Sequence, residues 1–140
     1  MRSRQLEVAL PQDTYLKTGR FDGDAMLVLI QEALKAGAGL GFPLTRMIAH
    51  AETAVDDWKS GFEWVEYEMR LNNVLPNYDD PVICTFDANL LTAPHAIDIL
   101  RTHPMVIIGG VLVENNFFTR PQDFIREVQS RTGPSQSYRG

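Results

Sequence analysis

Residues 82–110 constrain the fold of this chain more than any other stretch. They read VICTFDANLLTAPHAIDILRTHPMVIIGG. Val82 to Phe86 is a near-continuous β-favouring run, and Met105 to Ile108 is a second one. Apolar runs without strict alternation suit strands covered on both faces, as in a parallel sheet. Between them Ala93, Ile97 and Leu100 fall at i, i+4 and i+7, the stripe of a helix packed on that sheet. A strand, a helix and a strand of this length predict a βαβ unit with a right-handed crossover. The expectation is two ribbons side by side and parallel, with Asp87 and Gly109–Gly110 emerging at one rim.

Further elements can be added on either side. QLEVAL at 5–10 reads as a short strand closed by Pro11, with Asp13 and Thr14 as turn formers. Asp22 is the expected N-cap of a helix over 23–36, with Met26, Ile30, Ala33 and Gly37 on one stripe and Leu27 and Leu34 beside it. Gly37, Gly39 and Gly41 stop that helix, and Pro43 follows. LTRMIA at 44–49 reads as another strand, and 51–59 as a short helix or a connecting loop. Ser60 with Glu63 has the form of a capping box at the head of the next helix. There Phe62, Val65 and Met69 make one apolar line, and Trp64, Leu71 and Leu75 a neighbouring one. Thr119 with Gln122 is a second capping-box pattern, ahead of an amphipathic helix carrying Phe124, Ile125 and Val128. This order predicts a layered α/β domain, a mostly parallel sheet with flanking helices, over residues 1–131, with a flexible tail over 132–140.

Length and charge narrow the function classes. At 140 residues the chain is one domain by size. A net charge of −5 argues against direct nucleic-acid contact, which needs a basic surface. Cys84 is the single cysteine, so no internal disulfide forms, as suits a reducing cytosol. No run reaches the ~18 apolar residues of a membrane helix, and the N-terminus lacks the apolar core of a secretion signal. The expected location is cytoplasmic.

The chain also resembles a known family. D-x-L-R-T-H-P-M-V-I-I-G-G (Asp98, then Leu100 to Gly110), V-x-E-N-x-F-F (Val113 to Phe118) and P-x-x-F (Pro121 to Phe124) carry the resemblance. So do C-x-F-D (Cys84 to Asp87), D-x-Y-L (Asp13 to Leu16), G-R-F-D (Gly19 to Asp22) and a looser acidic and aromatic segment from Glu63 to Asn72. On these residues the chain is similar to the MEDS domain family, the sensory domain named for methanogen and methylotroph regulators. The resemblance implies a RecA-like core without its phosphate-binding loop, and a further N-terminal portion that the chain as given lacks. It implies sensing of small molecules, including hydrocarbon derivatives, beside DNA-binding, kinase or other signalling modules.

Site chemistry is sparse. No G-x-x-x-x-G-K-[ST] loop and no G-x-S-x-G elbow is present. Gly37-Ala-Gly-Leu-Gly41 follows a helix, so it reads as a cap and turn. His50, His95 and His103 have no partner at i+4 and no neighbouring cysteine, so the local spacing of a metal site is missing. His103 before Pro104 reads as a cap on a helix C-terminus, and Cys84 as a small buried hydrophobe. Trp58, Phe62, Trp64 and Tyr67 read as core, or as the lining of an apolar pocket; Glu66, Glu68 and Arg70 read as a solvated helix face.

Ligands of parallel sheets sit at the C-terminal edge of the strands. That rule nominates Asp13, Thr14 and Tyr15, His50 and Glu52, Asp87 and Asn89, and Gly109, Gly110, Glu114 and Asn115. Asp87 also suits a plain N-cap. The expectation is a non-enzymatic sensory domain of a bacterial or archaeal signalling or transcription-regulatory system, with no cofactor and no metal. Its expected partners are a small organic molecule, a signalling protein and a second copy of itself. The alternatives are an interaction or dimerisation scaffold without a ligand, and a residual nucleotide-binding protein.

Overall fold

The structure, a computed structural model, describes residues 5–51 and 61–132. Its elements in order are helix α1 (Gly23–Gly39), strand β1 (Met47–His50), helix α2 (Gly61–Val74), strand β2 (Val82–Thr85), helix α3 (Ala93–Thr102), strands β3 (Met105–Ile108) and β4 (Val111–Glu114), and helix α4 (Pro121–Thr132). Short 3-10 turns lie at Pro11–Asp13, Leu75–Asn77 and Ala88–Leu90. The class is mixed α/β, and the strands form two separate two-stranded sheets.

α1 starts where the sequence predicts. The Asp22 carboxylate accepts the Ala25 N–H at 3.0 Å, the N-cap bond that satisfies one of the free amides of a first turn. Met26, Leu27, Ile30 and Leu34 are buried on one stripe. The helix continues through Gly37 and Gly39, and Gly41 at φ 83° turns the chain away. Gly37 is needed for space: a Cβ there would collide with the Thr45 hydroxyl, whereas one at Gly39 meets nothing. Gly37→Ala should therefore lower stability by about 1 kcal/mol, overpacking outweighing the helix propensity gained. Gly39→Ala should raise it by up to about 1 kcal/mol. Urea unfolding of the two variants reads both signs.

α2 is the axis of the domain. Trp64, Tyr67 and Leu71 pack with Phe21 and the α1 stripe in one cluster, and Val65 and Met69 pack with Phe124 and Val128 of α4 in another. At 100° per residue these positions span a roughly 200° arc, so the helix is buried on two flanks at once. Glu68 lies at the middle of that arc and is 3% exposed, which corrects the expectation of a solvated Glu68. Arg70 stays at the surface and pairs with Asp24 at 2.7 Å.

The two ribbons of 82–110 part company. β2 pairs in parallel with β1, Met47 opposite Val82 and His50 opposite Thr85. β3 pairs antiparallel with β4, Ile108 opposite Val111. The predicted side-by-side βαβ pairing of 82–86 with 105–108 is thus overturned. The cause is the turn: Gly109 and Gly110 sit at φ 58° and 80°, the doubly left-handed pair of a two-residue type I′ hairpin. The chain therefore folds straight back after β3 along its own next residues. With no joint sheet beneath it, α3 does not bury the predicted stripe. Ile97 and Leu100 are exposed, and Ile99 and Thr102 are buried instead.

Two further expectations change. Residues 5–10 form no strand, and Leu6, Val8 and Leu10 are exposed. Thr119 does not cap α4; its hydroxyl accepts from Arg101 Nε at 3.1 Å, and the Arg120 carbonyl takes the Phe124 amide at 3.1 Å. Ser60, Glu52, Trp58, most of segment 51–59, the Phe62 side chain and the tail from 133 lie outside the described residues.

Candidate functional site

The chemistry of this domain converges on the buried face of α2. Trp64 is the hub of an aromatic cluster. Its ring lies 5.2 Å from Phe21, 5.3 Å from Tyr67, 5.8 Å from Tyr15 and 6.4 Å from Phe86, centroid to centroid. These are tilted or edge-on pairs, the arrangement aromatic quadrupoles favour. Its indole Nε1 is buried without a hydrogen-bond partner among the described residues.

One turn further along α2 stands Glu68. β2 brings Cys84 to it and the end of α3 brings His103, so that one ligand atom from each lies within 4.8 Å of the others. Glu68 Oε2 is 3.7 Å from His103 Nε2, and Glu68 Oε1 has no hydrogen-bond partner among the described residues. Burial pushes the Glu68 carboxyl up to about 8. Burial also pushes the Cys84 thiol up, with the Glu68 charge adding to it. The His103 imidazole is held below its usual range by burial, against the opposing effect of its bond to Ile99. As expected of a helix cap, His103 Nδ1 lies 2.8 Å from the Ile99 carbonyl of the last turn of α3.

A cleft of about 330 Å³ opens beside this interior, between Arg20–Asp24 and the α2 residues Glu63, Glu66, Tyr67 and Arg70. Phe21 and Tyr67 belong to both the cleft and the aromatic cluster.

The residues nominated from the sequence are scattered over this fold. Tyr15 joins the aromatic cluster, and Asp13 sits exposed in the 3-10 turn before it. His50 and Thr85 meet at the ends of β1 and β2, with Thr85 Oγ1 3.0 Å from His50 Nδ1. Asp87 caps the turn that follows β2: its carboxylate accepts from Asn89 N at 2.8 Å and Asn89 Nδ2 at 2.9 Å. Gly109 and Gly110 form the exposed hairpin tip, and Glu114 stands at the hairpin's other end, opposite Met105. Because β2 and β3 belong to different sheets, no strand edge joins Asp87 to the glycine pair.

Asn115 is a structural clamp. Its Nδ2 donates to the Leu100 and His103 carbonyls at 2.6 and 2.8 Å, and its Oδ1 accepts from Phe117 N at 3.0 Å. It thereby satisfies the end of α3 and ties the hairpin to it. Asn115→Ala should cost about 2 kcal/mol, the penalty for stranding buried carbonyls. A lowered urea midpoint at unchanged slope would register it.

Glu68, Cys84 and His103 escaped the sequence reading as a group because they are distant in the chain. Glu68 alone was findable: two apolar lines on one helix that flank a glutamate place that glutamate between two packed surfaces.

Among the described residues no helix is long and apolar enough to cross a membrane. No curated protein and no solved structure matches the chain. The family comparison does match, over residues 1–104, which takes in the aromatic cluster and the Glu68–Cys84–His103 group but stops before the hairpin and α4. With about three quarters of its length so matched, the chain belongs to the MEDS family, the methanogen/methylotroph, DcmR sensory domain.

Proposed function

We propose that this chain is a cytosolic sensory domain of a signalling or transcription-regulatory system, and that it binds a small organic molecule against Trp64. Binding shifts an equilibrium with a partner or a second copy, by differential affinity for two conformations. The observation that carries this reading is the Trp64 indole N–H, buried and without a partner inside a ring of aromatic side chains. A stranded donor of this kind costs roughly 1–3 kcal/mol, which a ligand acceptor would offset. The ligand class is therefore a small, mostly apolar molecule with one acceptor oxygen, a hydrocarbon derivative such as an alcohol or carbonyl compound. The cleft shares Phe21 and Tyr67 with the aromatic cluster around Trp64. No residue is assigned a catalytic role.

A thermal-shift panel of such molecules tests the reading. At least one should raise the midpoint, and Trp64→Phe should weaken its binding about fivefold or more. Equal binding by Trp64→Phe would remove Trp64 from the site.

A second reading, a dimerisation scaffold without a ligand, is favoured by the hairpin. Ile107, Ile108, Val111 and Leu112 are all more than half exposed, and Phe117 is 72% exposed. Contiguous apolar surface and open strand edges are normally covered by a partner. This reading expects a mass that rises with concentration and does not respond to the panel.

A further inference from the structure

We propose that Glu68, Cys84 and His103 form a binding site for a transition-metal cation of the zinc class. The three come from α2, β2 and the end of α3, and their ligand atoms already gather within 4.8 Å of one another. Tetrahedral zinc with bonds of 2.0–2.3 Å sets neighbouring donors about 3.4 Å apart. Glu68 Oε2 and His103 Nε2, at 3.7 Å, are near that spacing. The remaining closure is on the order of 1 Å, within reach of the Glu68 torsions.

Two features point to a cation, independently of the spacing. The first is the His103 tautomer. His103 Nδ1 lies 2.8 Å from the Ile99 carbonyl and 2.8 Å from the Thr102 hydroxyl, which itself donates to the Ile99 carbonyl at 2.7 Å. With the hydroxyl proton given to Ile99, both neighbours of Nδ1 are acceptors and the ring proton sits on Nδ1. The Nε2 lone pair is left facing Glu68. This is the arrangement found in metal-binding histidines, where a backbone carbonyl holds one nitrogen so that the other can coordinate. The second is Glu68 itself. It is 3% exposed, Oε1 has no hydrogen-bond partner among the described residues, and Oε2 stands too far from Nε2 for a hydrogen bond. Neither Glu68 Oε1 nor the Oε2–Nε2 pair makes a hydrogen bond among the described residues, and a cation between Oε2 and Nε2 would engage both side chains.

The donor set names the cation class. A thiolate, an imidazole and a carboxylate suit Zn²⁺, Co²⁺ or Fe²⁺; Mg²⁺ and Ca²⁺ take oxygen ligands. Binding forms three coordinate bonds. The Cys84 thiol proton, and the Glu68 carboxyl proton where it is held, leave to solvent. Three protein ligands leave a fourth position for water, the pattern of an exchangeable site and not of a closed structural one. This inference stands whether or not an organic ligand binds at Trp64.

The test uses Co²⁺ alone as probe on the chelator-stripped full chain. The expected result is one tightly bound Co²⁺ per chain, with the visible bands of four-coordinate cobalt and a thiolate-to-cobalt charge-transfer band in the near ultraviolet. Equimolar Zn²⁺ should bleach both. Cys84→Ser should abolish the charge-transfer band, and Glu68→Gln should weaken binding beyond the ~10–100-fold that follows loss of a ligand's hydrogen-bond partner. Circular dichroism of both metal-free variants selects the one that retains its fold. Substoichiometric cobalt, a six-coordinate spectrum, or a charge-transfer band that persists in a folded Cys84→Ser protein would overturn the site.

Discussion

Glu68→Gln should stabilise the metal-free protein by about 3 kcal/mol at pH 7. Burial raises the Glu68 carboxyl from 4.5 to about 8 in the folded chain, and the unfolded chain keeps the lower value. A folded-state pKa above the unfolded one gives a stability contribution that is complete below pH 4.5 and lost as pH rises toward 8. At pH 7 the folded state must hold a proton that the unfolded state has released. Glutamine occupies nearly the same volume and has nothing to titrate.

The neighbours of Glu68 decide where the effect is cleanest. Among the described residues the titratable groups around it are Tyr67 on its own helix, Cys84 on β2 and His103 at the end of α3. Tyr67 and Cys84 are both shifted upward and titrate above the window. His103 is shifted downward, so it opposes Glu68 below pH 6.5: stability due to His103 rises with pH until the unfolded imidazole is neutral. Between pH 6.5 and 8 Glu68 therefore dominates. There the parent protein should lose about 1 kcal/mol per pH unit on average, while Glu68→Gln keeps only the slight rise due to His103. Chemical denaturation at a series of pH values reads both slopes. Parallel curves for the two proteins would mean that Glu68 is ionised and solvated in the folded state.

The same residue shows what a sequence can and cannot disclose about this domain. Helical periodicity over short range placed α1 and its Asp22 cap, because a cap is a local bond between residues three apart. It also identified the apolar lines of α2. What it did not contain was the number of surfaces packed against that helix. Glu68, Glu66 and Arg70 look alike as letters, and only the burial of both flanks separates the first from the others. The hairpin failed for a different reason. Two apolar runs flanking a helix suggest a parallel crossover, but Gly109–Gly110 followed by VLVE is an equally local instruction to turn back. Where a tight turn competes with a long crossover, the shorter loop closes at lower entropic cost. The nominated rim dissolved with that sheet. Of its described members, Tyr15 alone reached the aromatic interior, while Asp87 and Asn115 turned out to satisfy backbone groups. The Glu68–Cys84–His103 group lay beyond any spacing rule, since three separate elements assemble it.

Phe124→Ala should cost about 4 kcal/mol, the largest loss expected of any single change here. The ring is 0% exposed and fills the space between α2 and α4 with Val65, Met69 and Val128. Its truncation removes transfer free energy and leaves a cavity whose walls are helices anchored elsewhere, so collapse is limited. The other side of the ring is covered by charge. The Arg101 guanidinium sits 4.3 Å from the ring centroid, forks onto Glu127 at 2.9 and 2.6 Å, and donates to Thr119 at 3.1 Å. Arg131 bridges Glu127 to Asp98 of α3. Arg101 and Asp98 are mostly covered while Glu127 and Arg131 are about half exposed, and ion pairs open to solvent on one side contribute little alone. Their role is to hold α3 and α4 in the register that seats the ring. Phe124→Leu separates the two contributions: it keeps most of the apolar burial and loses the cation–π contact, so its cost should be about 1–2 kcal/mol. Urea midpoints for the pair give the answer. A Leu variant as unstable as the Ala variant would assign the stability to ring and guanidinium stacking; an Ala variant within about 1 kcal/mol of the parent would mean that α4 is not seated on α2 in solution.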